Sequence, residues 1–284
     1  MLLYFDLRIH GGMAPSHSGA TMSSGTIASF PRALRDLIGV AHVVEVHNGM
    51  SGASVYRIGS TQDQRFLKVA PTTAGQELEA EAARLIWLNG KLPIPRVVYF
   101  ADYDGSQYLM TTAVPGVALC DDLVRDRTPQ VIERYAQGAR LIHSVPVAGC
   151  PFDARLDVRV PQVHRLVLAG AVDTDLFDDE RLGRSPESLY QELLETRPKE
   201  EDLVFTHGDY CAPNVLLDPA TLRLTGFVDW GRSGVADRYQ DLALAARSIA
   251  YNFGDEWVAR FFEAYGMREP DRARLAFYKL LDEF

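Results

Sequence analysis

At 284 residues, 47% apolar and 24% charged, the chain can form one large or two ordinary domains with a substantial core, which excludes a disordered polypeptide. A net charge of -9 and a pI near 5.3 argue against binding a nucleic-acid backbone, which takes clustered Lys and Arg, and suit a cationic ligand better. No apolar run approaches the roughly 20 residues of a membrane span. The three widely spaced cysteines, Cys120, Cys150 and Cys211, fit neither a disulfide framework nor a zinc site. The expectation is a cytoplasmic protein with free thiols, a monomer or weak dimer with no nucleic-acid or membrane partner.

Residues 1–25, rich in Gly, Ser and His, read as a flexible extension. From Val43 short strand-like runs, VVEVHNG, ASVYRIGS and RFLKVA, alternate with turn residues and predict a small antiparallel sheet. Gln76–Asn89 places Leu78, Ala82, Leu85, Ile86 and Leu88 opposite charged residues, as an amphipathic helix would. Two more strands, RVVYFADY and YLMTTAV, flank an Asp104-Gly105 turn. After Pro115-Gly116 helical periodicity dominates, near 129–143, 157–170, 185–196, 236–251, 255–266 and 269–284. Between these, LVFTH, NVLLD and LTGFVD are β-type. The class is α+β, with a β-rich N-lobe at 26–113 and a larger helical C-lobe at 114–284.

The chemistry concentrates in His207-Gly208-Asp209-Tyr210-Cys211-Ala212-Pro213-Asn214, followed fifteen residues after Asn214 by Asp229-Trp230-Gly231. Phosphoryl transfer needs an oriented hydroxyl and cations that neutralise phosphate charge. An Asp and an Asn five residues apart on a loop, with a second carboxylate at a strand end, form an oxygen-rich site suited to a hard cation. Asp209, Asn214 and Asp229 fit the roles of base and Mg2+ ligands. A lone HGD or DxG would mark only a turn; the joint spacing is what carries the reading. Upstream, Lys68 lies in a strand-like run and Glu81 on the next helix, with Glu77 and Glu79 as rival partners. A Lys held by a helix Glu can present its ammonium to ATP phosphates. The turn at Asn48–Ala53, with Ser51, could cover phosphates with backbone N–H groups. Cys211 reads as a packing residue.

With these residues in view, the chain resembles the aminoglycoside 3'-phosphotransferases, the kanamycin kinases, of the bilobal protein-kinase-like fold. The likeness runs from about Val43 to the end through FLKVA, EAARLIWL, KLPIPRVV, MTTAVPG, CPFDARL, HGDYCAPNVLLD, TGFVDWGRSGVADRYQDLALAAR and LLDEF. It implies a bacterial resistance enzyme that uses ATP and Mg2+ to phosphorylate the 3'-hydroxyl of aminoglycosides. Lys68 would bind ATP phosphates and pair with Glu81, which keeps the family spacing. Phe66 would stack on adenine, with the backbone of Thr111 and Ala113 bonding its edge and Ser51 in the phosphate turn. Asp209 would be the base, Asn214 and Asp229 the metal ligands. Asp241, four residues beyond Asp237 on the same expected helix, would brace the catalytic loop.

The resemblance also implies a drug pocket lined by Asp173 and Asp175 of DTDLFDDE, Arg232 and Arg247 in the GRSGVADRYQDLALAAR segment, and Asp282, Glu283 and Phe284 at the end. Clustered acids would steer and bond a drug bearing several ammonium groups. Read without the resemblance, DTDLFDDE is a solvated loop or helix start. The chain departs from the family pattern in ending LLDEF where relatives often end in two phenylalanines. Ser248 and Tyr251 stand where some relatives carry acids, and Trp230 takes an unusual place between Asp229 and Gly231. The alternatives are a kinase of another small cationic or sugar metabolite, and a non-catalytic kinase-like binding module.

Overall fold

The computed structural model describes residues 27–46, 53–60, 63–72 and 78–284. The expected extension at 1–25, the Asn48–Gly52 part of the first turn with Ser51, and the first two residues of the expected helix, Gln76 and Glu77, lie outside the described residues. The chain divides into two compact units. One takes in the described residues up to Asn89 together with Pro95–Ala113, and the other Gly90–Ile94 together with Val114–Phe284.

In the first unit, β1 (Val43–Val46), β2 (Ser54–Ile58), β3 (Arg65–Pro71), β4 (Val97–Tyr103) and β5 (Ser106–Thr112) form one antiparallel sheet in the order β1-β2-β3-β5-β4. Side chains alternate across a strand, so Tyr56, Ile58 and Leu67 fall on a buried face, where they meet Leu34 and Ile38 of α1 (Arg32–Ile38), Phe30, Tyr108 and Met110. Lys68, next to Leu67, is turned the other way and is half-buried. β4 and β5 join through Asp104 and Gly105, with φ of 49° and 73°. Positive φ at both positions is the two-residue turn whose twist matches that of the strands, as the Asp-Gly pair leads one to expect. Helix α2 (Leu78–Leu88) buries Leu78, Ala82, Leu85 and Leu88 and packs on β4 and β5. Ile86, expected on this stripe, sits at its edge and is 65% exposed.

The second unit holds the short α3 (Asp122–Arg125), then α4 (Thr128–His143), α5 (Leu156–Leu168), α6 (Pro186–Thr196), α7 (Tyr239–Phe253), α8 (Val258–Tyr265) and α9 (Arg272–Leu281). Short strands lie among them: β6 (Val117–Ala118), β8 (Val215–Leu217) and β9 (Leu224–Phe227) make one small sheet, and β7 (Leu203–Thr206) pairs with β10 (Gly234–Asp237). Leu156, Val160, Val163, Leu189, Leu193, Ala243, Phe277 and Leu281 unite α5, α6, α7 and α9 in one core. Among the described residues no helix is long and apolar enough to cross a membrane.

Three helices depart most from the periodicity reading. The helix expected from 236 begins at Tyr239, because Asp237 ends β10 and turns the chain. Its buried carboxylate accepts from the Tyr239 and Asp202 N–H groups (2.9 and 3.0 Å) and from Arg274 (2.7 Å). Asp237 and Asp241 are therefore not on one helix. The helix expected at 255–266 is a 3-10 turn, Asp255–Trp257, followed by α8, which Gly266 stops at φ 97°. α9 starts after Asp271, whose carboxylate caps the Ala273 and Arg274 N–H groups, and ends at Leu281 rather than 284.

Candidate active site

β7 delivers the chain into the loop His207–Asn214, and α7 holds that loop from behind. Asp241, wholly buried in the first turn of α7, accepts the His207 N–H on Oδ2 and the Gly208 N–H on Oδ1, both at 2.8 Å. Two helical turns later on the same face, the Ser248 hydroxyl accepts the Ala212 N–H at 2.9 Å. The brace expected of Asp241 is thus in place, and Ser248, which stands out in the sequence only as a departure, supplies a second one. Gly208 has φ 84°, and a Cβ there would stand 2.2 Å from the Arg232 carbonyl oxygen, so the backbones meet at a distance only glycine permits. Beneath the loop, Tyr135 and Tyr210 each donate a phenol O–H to the other's carbonyl at 2.8 and 2.7 Å.

Between these braces Asp209 and Asn214 meet. The Asn214 amide Nδ2 donates to Asp209 Oδ2 and to the Asp209 carbonyl, both at 3.0 Å. That fixes the carboxylate's orientation and leaves the Asn214 amide oxygen as its remaining acceptor. Burial pushes the Asp209 carboxyl above the ordinary carboxylate range; Arg232 pulls against this, while Asp229 and Asp282 push the same way. The Val228 N–H donates to the Asn214 carbonyl at 3.0 Å and the Val228 carbonyl accepts from His207 Nε2 at 3.0 Å, which sets Asp229 beside the loop. Asp229 adopts φ 66°, a left-handed backbone uncommon for a non-glycine residue. An amide oxygen and a carboxylate are hard donors of the kind Mg2+ takes, so this pair fits that ion. Trp230 turns away into the core among Phe205, His207 and Phe227. Burial pushes the Cys211 thiol well up, consistent with packing rather than nucleophilic duty.

In the first unit, Lys68 of β3 and Glu81 of α2 form a two-pronged pair, Nζ to Oε1 2.9 Å and to Oε2 2.8 Å, with the Glu81 side chain 8% exposed. Of the two candidate partners among the described residues, Glu79 and Glu81, it is Glu81 that reaches the lysine. Phe66 stands opposite Thr111 in the β3–β5 register. The Ala113 N–H donates to the Gln64 carbonyl at 3.0 Å, which leaves the Ala113 carbonyl as the backbone group for the expected bond to an adenine edge.

The acids expected in a drug pocket divide in two. Asp173 and Asp175 are exposed at the 3-10 turn Thr174–Leu176, where Asp173 Oδ1 accepts the Asp175 N–H at 3.1 Å. Asp282 and Glu283 are buried and already matched by arginines. Arg232 donates to Asp282 at 3.0 Å, Arg247 pairs with Asp282, and Arg181 donates to Glu283 at 2.9 Å. Asp178 completes the cluster: its N–H donates to Glu283 at 3.1 Å and its carboxylate accepts from Arg247 at 3.3 Å and Arg181 at 3.4 Å. Burial, with Asp178 adding to it, pushes the Glu283 carboxyl up to about 7 despite Arg181. The Phe284 side chain packs in the helical core rather than lining an open surface. Sequence reasoning missed Asp178 and Arg181; the signal available was the stretch DTDLFDDER itself, in which buried Phe177 and Arg181 bracket Asp178 on the interior side.

Comparison with known proteins bears on this geometry. Residues 42–278 match the model of the phosphotransferase enzyme family. An aminoglycoside 3'-phosphotransferase of Streptomyces fradiae is 44% identical over 250 residues, covering 84% of this chain and 93% of its own. The crystal structure of an aminoglycoside-3'-phosphotransferase of type VIII superposes with a TM-score of 0.81 at 43% identity, covering 89% of this chain and 96% of that one. An aminoglycoside phosphotransferase of Streptomyces rimosus, APH(3'')-Id, solved with ADP and streptomycin, is 30% identical with a TM-score of 0.71, over 83% of this chain and 93% of its own. A family match over most of the chain, a relative this similar over nearly its whole length and a shared kinase-like fold agree: the chain belongs to the phosphotransferase enzyme family, among the aminoglycoside 3'-phosphotransferases.

Proposed function

We propose that the protein transfers the γ-phosphoryl group of ATP to the 3'-hydroxyl of aminoglycosides of the kanamycin and neomycin type, and so confers resistance to them. The observation that carries the reading is the buried Asp209 carboxylate, oriented by Asn214 on a loop braced from α7. With Oδ2 engaged by Asn214, Oδ1 is the oxygen that orients the substrate hydroxyl and accepts its proton as the phosphorus–oxygen bond forms. Asn214, through its amide oxygen, and Asp229 would hold Mg2+, which when bound neutralises phosphate charge. Lys68, held by Glu81, places its ammonium against the nucleotide phosphates, and Phe66 and the Thr111 backbone receive the adenine. The ADP in the Streptomyces rimosus relative supports the choice of nucleotide.

The drug is a polycation, and the reading gives it the exposed Asp173 and Asp175 together with the buried Asp282 and Glu283 behind their arginines. That same relative, with its bound streptomycin, favours one second reading, transfer to the 3''-hydroxyl of streptomycin. Coupled ADP release with Mg-ATP and kanamycin, a 3'-deoxy aminoglycoside, or streptomycin separates the two. The proposal expects turnover with kanamycin alone. Turnover with streptomycin and none with kanamycin would replace it by the second reading, and sustained turnover of the 3'-deoxy drug would refute the site of transfer.

A further inference from the structure

Behind the catalytic loop lies a buried polar chain that runs through three helix ends. Asp241 Oδ2, which accepts the His207 N–H, is also 3.1 Å from His143 Nε2, at the last residue of α4. His143 Nδ1 is 2.8 Å from the phenol oxygen of Tyr265, the last residue of α8. That oxygen accepts from Arg238 at 3.0 Å, and Arg238 in turn forms an ion pair with Asp202, its Nη2 donating to Oδ1 at 3.0 Å. The His143 side chain is 4% exposed and Asp241 is wholly buried.

Counting protons along this chain leaves one arrangement for a neutral imidazole. A carboxylate only accepts, so the nitrogen facing Asp241 must carry hydrogen. Nδ1 is then an acceptor and takes the Tyr265 O–H. The phenol oxygen, having donated its single hydrogen, accepts from Arg238. Burial holds the Tyr265 phenol above its ordinary range, so it keeps the proton this chain needs. Each link pairs one donor with one acceptor, and the direction runs from Arg238 through Tyr265 and His143 to the carboxylate that grips the Gly208 N–H next to Asp209.

Resting on the phosphotransferase reading, we infer that His143 is a positioning residue for the reaction: with Tyr265 and Arg238 it locks the Asp241 carboxylate in the rotamer that holds His207 and Gly208, and so sets where Asp209 stands. His143 touches neither nucleotide nor drug in this account. It acts through Asp241, and its loss lets that carboxylate turn, loosening two backbone bonds at once.

The test uses the full-length enzyme with His143→Ala, His143→Gln and Tyr265→Phe, each checked for native circular dichroism. Steady-state kinetics are combined with amide hydrogen exchange over residues 205–210. Loss of a buried hydrogen bond to a charged group predicts that His143→Ala lowers kcat about 10- to 100-fold, with KM for ATP and drug within about 3-fold and faster exchange at 207 and 208. Glutamine, whose amide N–H can take the place of Nε2–H, should restore kcat to within about 5-fold of wild type, and Tyr265→Phe should cost roughly 3- to 10-fold. A kcat for His143→Ala within about 2-fold of wild type, or equal defects in the Ala and Gln variants, would overturn the inference. Should the wild type phosphorylate no aminoglycoside, the functional reading fails on its own. The exchange comparison still decides the relay: faster exchange upholds it and unchanged exchange ends it.

Discussion

Replacing Gly208 by alanine perturbs the loop at the residue before Asp209, and the structure supplies both parts of its cost. At φ 84° a Cβ brings left-handed strain of roughly 1–2 kcal/mol. It would also stand 2.2 Å from the Arg232 carbonyl oxygen and 2.6 Å from its carbon, which are backbone atoms with no rotamer to escape through. Ordinary contact requires one backbone to retreat by about 1 Å. Arg232 is tied to Asp282 and Gly208 to Asp241, so either movement breaks a buried bond or shifts Asp209. A 1 Å misplacement of a reacting group costs on the order of 100-fold in rate. Coupled ADP release with kanamycin should therefore show kcat down by about 100-fold in Gly208→Ala, with KM for ATP little changed. Gly170→Ala is the control, since φ is 61° there but nothing lies within 4 Å; it carries the strain without the collision and should keep its turnover. Turnover of Gly208→Ala within about 3-fold of wild type would refute the argument that this close approach sets the loop.

The other predictions concern the supports around that loop and the charges near it. Ser248→Ala leaves the Ala212 N–H without its acceptor and should lower both stability, by about 1–2 kcal/mol in denaturant melts, and kcat by roughly 3- to 10-fold. Lys68→Ala should raise KM for ATP at least about 10-fold, with Glu81→Gln intermediate, because the amide still reaches the lysine but no longer neutralises it. Glu283 concerns pH. Its folded pKa, about 7, lies above the ordinary 4.5, so the folded state binds the proton more tightly. The contribution therefore favours folding below about 4.5 and is lost as pH rises through 7. The wild-type Tm, relative to Glu283→Gln, should fall between about pH 5 and about pH 8; parallel curves would place Glu283 in a more solvated setting than the structure gives it.

What can be read from the sequence follows from how local each signal is. The Asp104-Gly105 hairpin, the stripe Leu78-Ala82-Leu85 of α2 and the five-residue spacing of Asp209 and Asn214 are short-range patterns, and each has its expected local structure. The start of α7 escapes the periodicity because Asp237 fits a helical pattern in sequence. Its carboxylate instead gathers the Tyr239 and Asp202 N–H groups, and only the fold brings Asp202 near. The acidic stretch 173–180 offers no periodicity to tell exposed Asp173 and Asp175 from Asp178, whose partners Arg247 and Glu283 lie 69 and 105 residues away. The His143–Tyr265 contact spans 122 residues, and neither residue carries a motif to announce it. Ser248 shows in the sequence only as a departure from relatives, yet it stands seven residues from Asp241, on the same helix face, and holds the other end of the loop.

The central claim is that Asp209 directs phosphoryl transfer to one hydroxyl. The most direct measurement is phosphorus–proton correlation NMR of kanamycin after incubation with Mg-ATP and either the wild type or Asp209→Ala. The account predicts a single phosphate ester, coupled to the 3' proton, from the wild type and no ester from the variant over the same time. A phosphate at any other position, or equal yields from the two enzymes, would contradict it.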